Sequence, residues 1–201
     1  MVFQKTLKER RNSDSFMEVA DKISLFKGEC NTYYIDDKVK LLVDAGFDYQ
    51  GKVDVILLTH GHEDHIKYLG AVMSRNPECQ VFISLKEVEL LNKNGVEVGK
   101  QFKGLYEGKT VIDTGKYKLE VIEVPAHTRG SVAFWDGGNK ILFSGDTIFK
   151  DGIGRTDFPE SVPDFMENAV TLLLGLDFEL VLPGHGKHFK PEDIEEDKLT
   201  T

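Results

Sequence analysis

The chain has little cysteine: Cys30 and Cys79 are the two present, and they form no CxxC pair. A disulfide framework is therefore not expected. No apolar run approaches the roughly 18–20 residues that a membrane helix requires. The opening stretch, MVFQKTLKERRNSDS, carries basic residues but no apolar segment after them, so a signal peptide is not expected and a cytoplasmic location is. Positive charge is also in short supply. Against 34 acidic residues stand 25 Lys and Arg, a net charge of −9, which argues against a nucleic-acid surface. No solenoid-length repeat and no low-complexity tract is evident.

What remains is the composition of a globular protein, 40% hydrophobic and 10% aromatic in 201 residues. That length fits a single domain over residues 1–201, with 1–15 as an N-terminal extension or edge element. Strand-like runs recur: FMEVA, KISLFKG, NTYYID, then Leu41 to Val43, with Asp36-Asp37 at a hairpin turn. Residues 53–58 read as a buried strand, and Ile66, Leu69, Gly70 and Met73 follow at helical spacing. CQVFIS is a strand and residues 85–92 a helix, while 96–109 reads as a long loop. TVID, KLEVIEV, SVAFWD and KILFSGD are strands, with Gly137-Gly138 at a turn between the last two. A helix over 162–174 is expected, capped by Ser161, with Phe165, Met166, Ala169, Leu172 and Leu173 as its apolar face and Gly175 as its stop. Residues 178–182 form the last strand, and the acidic tail after Pro191 reads as a short exposed helix or frayed end. Strands in runs with helices between them, rather than strict βαβ alternation, suit an α/β (α+β) sandwich of two mixed sheets with helices outside.

The chemistry concentrates in VDVILLTHGHEDH. His60, His62, Asp64 and His65 place four potential metal ligands within six positions after an apolar strand. His60 and His62 point the same way along an extended chain. His65 breaks that alternation, so the four converge only where the chain turns near Asp64. The pattern yields two clusters, His60 with His62 and Asp64 with His65, the layout of a two-metal site. Three further candidates sit beyond apolar strands beside Gly, Pro or Ser: His127 in VPAHT, Asp146 in FSGDT and His185 in LPGHG. Four strands thus deliver ligands to one rim of a rigid scaffold. His188 reads as a surface or supporting residue, and Ser131 and Ser144 as backbone-turn residues.

HGHEDH, PAHTRGS, SGDTIF and PGHG together resemble the metallo-β-lactamase fold superfamily, from about residue 16 to His185. The resemblance implies an αββα sandwich with metals at the rim between the sheets. By motif, His60, His62 and His127 would hold one ion, Asp64, His65 and His185 a second, and Asp146 would bridge them. Asp44, in VDAG, matches a position that supports a ligand histidine. His62 stands where the di-iron, oxygen-reducing branch has Glu, which disfavours that branch. Mixed His and carboxylate ligands without thiolate suit zinc first, with iron and manganese also compatible. Two such cations would lower the pKa of a water to about 7, and one would polarise a carbonyl. Asp64, as catalytic residue, would orient the resulting hydroxide.

FKDGIGRTDFP resembles the GxGRxDFP loop of small glyoxalase II-like hydrolases, in which Arg155 would bind the carboxylate end of a glutathione-like thioester. Lys187 replaces a Tyr that those enzymes place two residues beyond the last ligand His, and would bind an anionic group. The chain stops soon after His185, so their C-terminal helical domain is not expected. The reading is a thioester hydrolase of hydroxyacylglutathione type with two divalent metals, acting on an anionic small molecule, without nucleic-acid or membrane partners. The alternative is a persulfide dioxygenase with one iron on His60, His127 and Asp146; that branch commonly has Gln where Pro159 stands. A lactonase or other ester hydrolase of the same fold is the further alternative.

Overall fold

Alternation along the strands decides which layer each side chain joins. In KLLV, Leu41 and Val43 enter a core shared by two sheets, and Leu42 enters a second core beneath helices. The computed structural model describes residues 16–195 together with Lys198 and Leu199. The extension expected over 1–15 lies outside the described residues.

The first sheet has seven strands in sequence order: β1 (Phe16–Ala20), β2 (Ile23–Lys27), β3 (Asn31–Asp36), β4 (Lys40–Val43), β5 (Val55–Leu57), β6 (Gln80–Ile83) and β7 (Phe102–Gly104). Pairing is antiparallel through β4 and parallel from β4 to β7. The second sheet runs β14-β11-β10-β9-β8. It comprises β8 (Val111–Asp113), β9 (Lys118–Glu123), β10 (Val132–Asp136), β11 (Ile141–Gly145) and β14 (Leu180–Pro183). A small ribbon of β12 (Ile148–Phe149) and β13 (Gly152–Ile153) lies apart from both. Among the described residues the α-helices are α1 (Glu63–Ile66), α2 (Leu69–Arg75), α3 (Val88–Lys93) and α4 (Met166–Leu174).

Between the sheets, Ile23, Leu25, Tyr33 and Val43 meet Leu119, Phe134, Phe143 and Leu182. Outside the first sheet, Ile56, Leu58 and Val81 pack on Ile66, Leu69, Val72 and Leu91. Outside the second, Ala133, Leu142 and Val181 pack on Met166, Ala169, Val170 and Leu173. Each fully buried Leu or Phe contributes about 1.5–3 kcal/mol through its apolar area. Three cores between four layers make the αββα sandwich that the strand order predicts.

Four expectations need correction. The helix through Ile66, Leu69, Gly70 and Met73 is two short helices, because backbone groups at the junction bond elsewhere. Ala45 N–H donates to the His65 carbonyl at 2.7 Å, and Tyr68 N–H donates to the Ala45 carbonyl at 2.9 Å. The loop expected over 96–109 contains β7, whose three residues, one of them Gly, are too few to show a period. Ser161 does not cap α4: its hydroxyl donates to the His127 carbonyl at 2.7 Å, and Val162 begins the helical turn. The buried face of α4 is Met166, Ala169, Val170 and Leu173, while Phe165 and Leu172 are about half exposed.

Candidate metal centre

Five strands point their carboxyl ends at one rim. Asp44 follows β4, Thr59 to His65 follow β5, and His127, Asp146 and His185 follow β9, β11 and β14. The structure brings all seven sequence-predicted ligand residues together there. His62 Nδ1 lies 3.0 Å from His60 Nε2 and 2.9 Å from His127 Nε2. His185 Nε2 lies 2.9 Å from Asp64 Oδ2 and 3.4 Å from His65 Nε2. Asp146 stands between the groups, with Oδ1 3.3 Å from His65 Nε2 and Oδ2 3.4 Å from His185 Nε2 and 3.7 Å from His127 Nε2. Within His60–His62–His127, His60–His65–Asp146 and Asp64–His65–His185, the donor atoms all lie within 4.8 Å of one another. His188 is half-buried and belongs to none of these groups.

On His60, His62, His65 and His127 the far side of the imidazole is held by a partner. His65 Nδ1 donates to Asp44 Oδ2 at 2.9 Å, and His127 Nδ1 donates to the Arg155 carbonyl at 2.7 Å. Asp44 also takes the Thr59 hydroxyl, so the Thr59 oxygen accepts from His60 Nδ1 at 3.1 Å. His62 Nε2 donates to Glu160 Oε1 at 3.0 Å. The inner nitrogens of His60, His62 and His127 are thereby left as lone pairs, the state that metal ligation requires; burial opposes charge on His65, but Cys30, Asp146 and Asp44 raise its pKa well above the ordinary value. Burial, with the neighbouring histidines, pushes the His60 pKa well below its ordinary value; burial also lowers that of His127.

The carboxylates are anions. Burial opposes charge on Asp146, but His65, His185 and His127 hold its pKa down. Burial likewise opposes charge on Asp64, which His185 and His65 hold down to about 2. Asp64 in turn raises the pKa of His185. Two observations show that the donor set fits bound cations. Asp146 Oδ1 is buried and has no hydrogen-bond partner, an oxygen whose open lone pairs a cation would satisfy. Gly184 leaves room beside it: a Cβ there would stand 2.1 Å from Asp146 Oδ1 and 2.7 Å from His65 Cε1.

Two buttresses hold the ligand loops. Glu87, 1% exposed, accepts from Gly61 N–H at 2.8 Å, Gly130 N–H at 2.7 Å and the Thr128 hydroxyl at 2.9 Å, tying the His60–His62 loop to the His127 loop. The segment 155–162 is the second. Beyond the bonds from Arg155, Glu160 and Ser161, the Phe158 ring stands 5.1 Å from His62 and 5.8 Å from His127. Sequence reasoning missed Glu87, Glu160 and Thr59. Glu87 precedes Leu90 and Leu91 at i+3 and i+4, so an acidic residue on an apolar face was its one available signal. Ser131 and Ser144 are committed locally, to the Thr128 N–H and the Ile148 carbonyl.

Above the cluster lies a cavity of about 520 Å³ with His62, Asp64, Asp146 and His185 in its lining and Leu90, Phe149, Ile153 and Phe158 among its walls. Arg155 lines it, but its guanidinium forks onto Asp157 at 2.9 and 2.7 Å and lies 4.6 Å from the Phe158 ring. Lys187 is elsewhere, in a smaller cavity of about 300 Å³ with Lys27, Cys30 and Asn31, which meets the first at His185. Arg155 and Lys187, both expected to contact an anionic substrate, thus line different cavities.

The profile of the metallo-beta-lactamase superfamily matches residues 25–185. The chain belongs to that superfamily. Among its members, a hydroxyacylglutathione hydrolase, GloC, of Haemophilus influenzae is 28% identical over 193 residues, covering 83% of this chain and 89% of the relative. A probable metallo-hydrolase of Streptococcus pyogenes is 29% identical, covering 85% and 84%. Among solved structures, TTHA1623 in a di-iron-bound form superimposes with a TM-score of 0.71 at 25% identity, covering 85% of this chain and 93% of that one. Among the described residues, no helix is long and apolar enough to cross a membrane.

Proposed function

We propose that the protein is a metal-dependent hydrolase of anionic thioesters. The observation that carries this reading is the convergence of seven ligand-type side chains at one rim, with His62, Asp64, His127, Asp146 and His185 lining a substrate-sized cavity and His60 and His65 buried among them. His60, His62 and His127 would hold one divalent ion and Asp64, His65 and His185 a second, with Asp146 shared between them. Bound ions of this kind supply Lewis acidity, acidifying a water and polarising a carbonyl. The chain supplies orientation. Asp64 faces the cavity as an anion and can accept a proton from, and so align, a water entering between the two ligand groups. Leu90, Phe149, Ile153 and Phe158 give an acyl group an apolar wall and limit access of bulk water.

The thioester assignment is supported by likeness to a hydroxyacylglutathione hydrolase and by the GRTDFP loop at the cavity wall. Arg155 would bind a carboxylate only by exchanging Asp157 for it, and Lys187 would engage a different part of a long substrate. Zinc is the first choice of metal, and iron or manganese suits the same donors. The test is release of free thiol from S-lactoylglutathione by the zinc-loaded protein, with His62→Ala and Asp146→Ala expected to abolish it. Oxygen uptake with glutathione persulfide, and no thiol release from thioesters, would replace this reading with a persulfide dioxygenase.

A further inference from the structure

His62 differs from the other clustered histidines in the nitrogen that it turns inward. His60, His65, His127 and His185 present Nε2, and His62 presents Nδ1. That leaves His62 Nε2 directed outward to Glu160 Oε1 at 3.0 Å, across 98 residues of sequence. Glu160 is itself fixed. Its carbonyl accepts the Arg129 N–H at 3.1 Å, in the loop that follows His127, and Lys93 Nζ lies 3.9 Å from its second carboxylate oxygen. The Phe158 ring packs edge-on against the same imidazole. A half-turn of the His62 ring about its Cβ–Cγ bond would put a carbon where Nδ1 now stands and would break the bond to Glu160.

We infer that Glu160 is a positioning residue of the metal centre, locking the His62 ring and its Nε2–H tautomer so that Nδ1 completes the three-histidine ion site. A carboxylate that accepts from one imidazole nitrogen also fixes the ring for ligation through the other. This rests on the reading that His60, His62 and His127 hold an ion, and it is independent of the substrate.

Two readouts test it. In metal-free protein, long-range ¹H–¹⁵N spectra should show His62 as the Nε2–H tautomer, and Glu160→Ala should convert it to a mixture. In competition with a chromophoric chelator, Glu160→Ala should bind zinc about 10- to 100-fold more weakly. Glu160→Gln, whose amide oxygen still accepts from Nε2–H, should recover part of both and remain folded if the alanine variant does not. On a His62→Ala background, Glu160→Ala should cause no further loss, because a residue acting through His62 has nothing left to act on. Unchanged tautomer and affinity in both Glu160 variants, or an equal loss on the His62→Ala background, would overturn the inference. A parent protein that binds no zinc while its His62 tautomer still answers to Glu160 would instead overturn the metal reading.

Discussion

Asp44 shows how much a single residue carries at this centre. It has φ of +59°, a left-handed backbone in which Asp is tolerated better than most side chains. It is 1% exposed and accepts from Thr59 N–H at 2.8 Å, the Thr59 hydroxyl at 2.9 Å and His65 Nδ1 at 2.9 Å. Asp44→Ala should cost at least about 2 kcal/mol, since each buried donor left unsatisfied costs about 1–3 kcal/mol. Asp44→Gly removes the same acceptors but relieves the backbone, so it should be milder than alanine by about 1 kcal/mol. Urea denaturation measures both, and a glycine variant less stable than the alanine one would contradict the role given to φ. The ligands themselves were legible because each is a His or Asp just past an apolar strand. Their supports were not. Glu87 reaches Gly61 across 26 residues and Gly130 across 43, and nothing local in KEVELL names either partner.

At the scale of elements, the short turn ahead of α3 does more for the site than its length suggests. Glu87, within Leu85–Glu87, brings two ligand loops from different sheets onto one carboxylate. Gly130 is required beside it, since a Cβ would stand 2.7 Å from Glu87 Oε1. Glu87→Ala should destabilise by upward of about 3 kcal/mol, with three buried donors stranded at about 1–3 kcal/mol each. Glu87→Gln turns one acceptor into a donor and should still cost at least about 1 kcal/mol. A glutamine variant within about 0.5 kcal/mol of the parent, the range of ordinary surface changes, would show that the carboxylate is dispensable. KLEVIEV was readable because exposed and buried positions alternate along its first residues, and KILFSGD because it is a short unbroken apolar run, buried at every position of its strand. The broken helix after His65 and the strand at Phe102–Gly104 were not, because a backbone bond to Ala45 and pairing to β6 decide them, and neither leaves a mark in the local sequence.

Across the whole molecule, the two sheets are joined at both ends of their strands. At the end away from the ligands, Asp37 in the β3–β4 turn accepts from Lys22 at 2.6 Å and from the Thr114 hydroxyl at 3.1 Å, where the chain turns between β8 and β9. The bond from Lys22, with those from Lys116 N–H and Thr114, holds the Asp37 pKa well below the ordinary carboxylate value. A folded pKa below the unfolded one means that the folded state binds fewer protons. This stabilisation is present above the unfolded value of about 3.9 and is lost as pH falls through the depressed folded value. Asp37→Asn should flatten the acid limb of the stability curve and leave zinc affinity unchanged; an acid limb as steep as the parent's would remove Asp37 as its source. At the other end the first sheet contributes His60, His62, Asp64 and His65, and the second contributes His127, Asp146 and His185, so a metal held by these residues would span the sandwich. Ions that bind the folded state alone stabilise it by mass action, about 2.7 kcal/mol at a free concentration 100 times the dissociation constant. At about 2–4 °C per kcal/mol for a chain of this size, chelation should lower the melting temperature by about 5–11 °C. Parent and His62→Ala should melt further apart in excess zinc than in excess chelator, because the variant keeps the fold but loses a ligand. A melting temperature indifferent to zinc in the parent would mean that the seven side chains meet at the rim without joining the sheets through a metal.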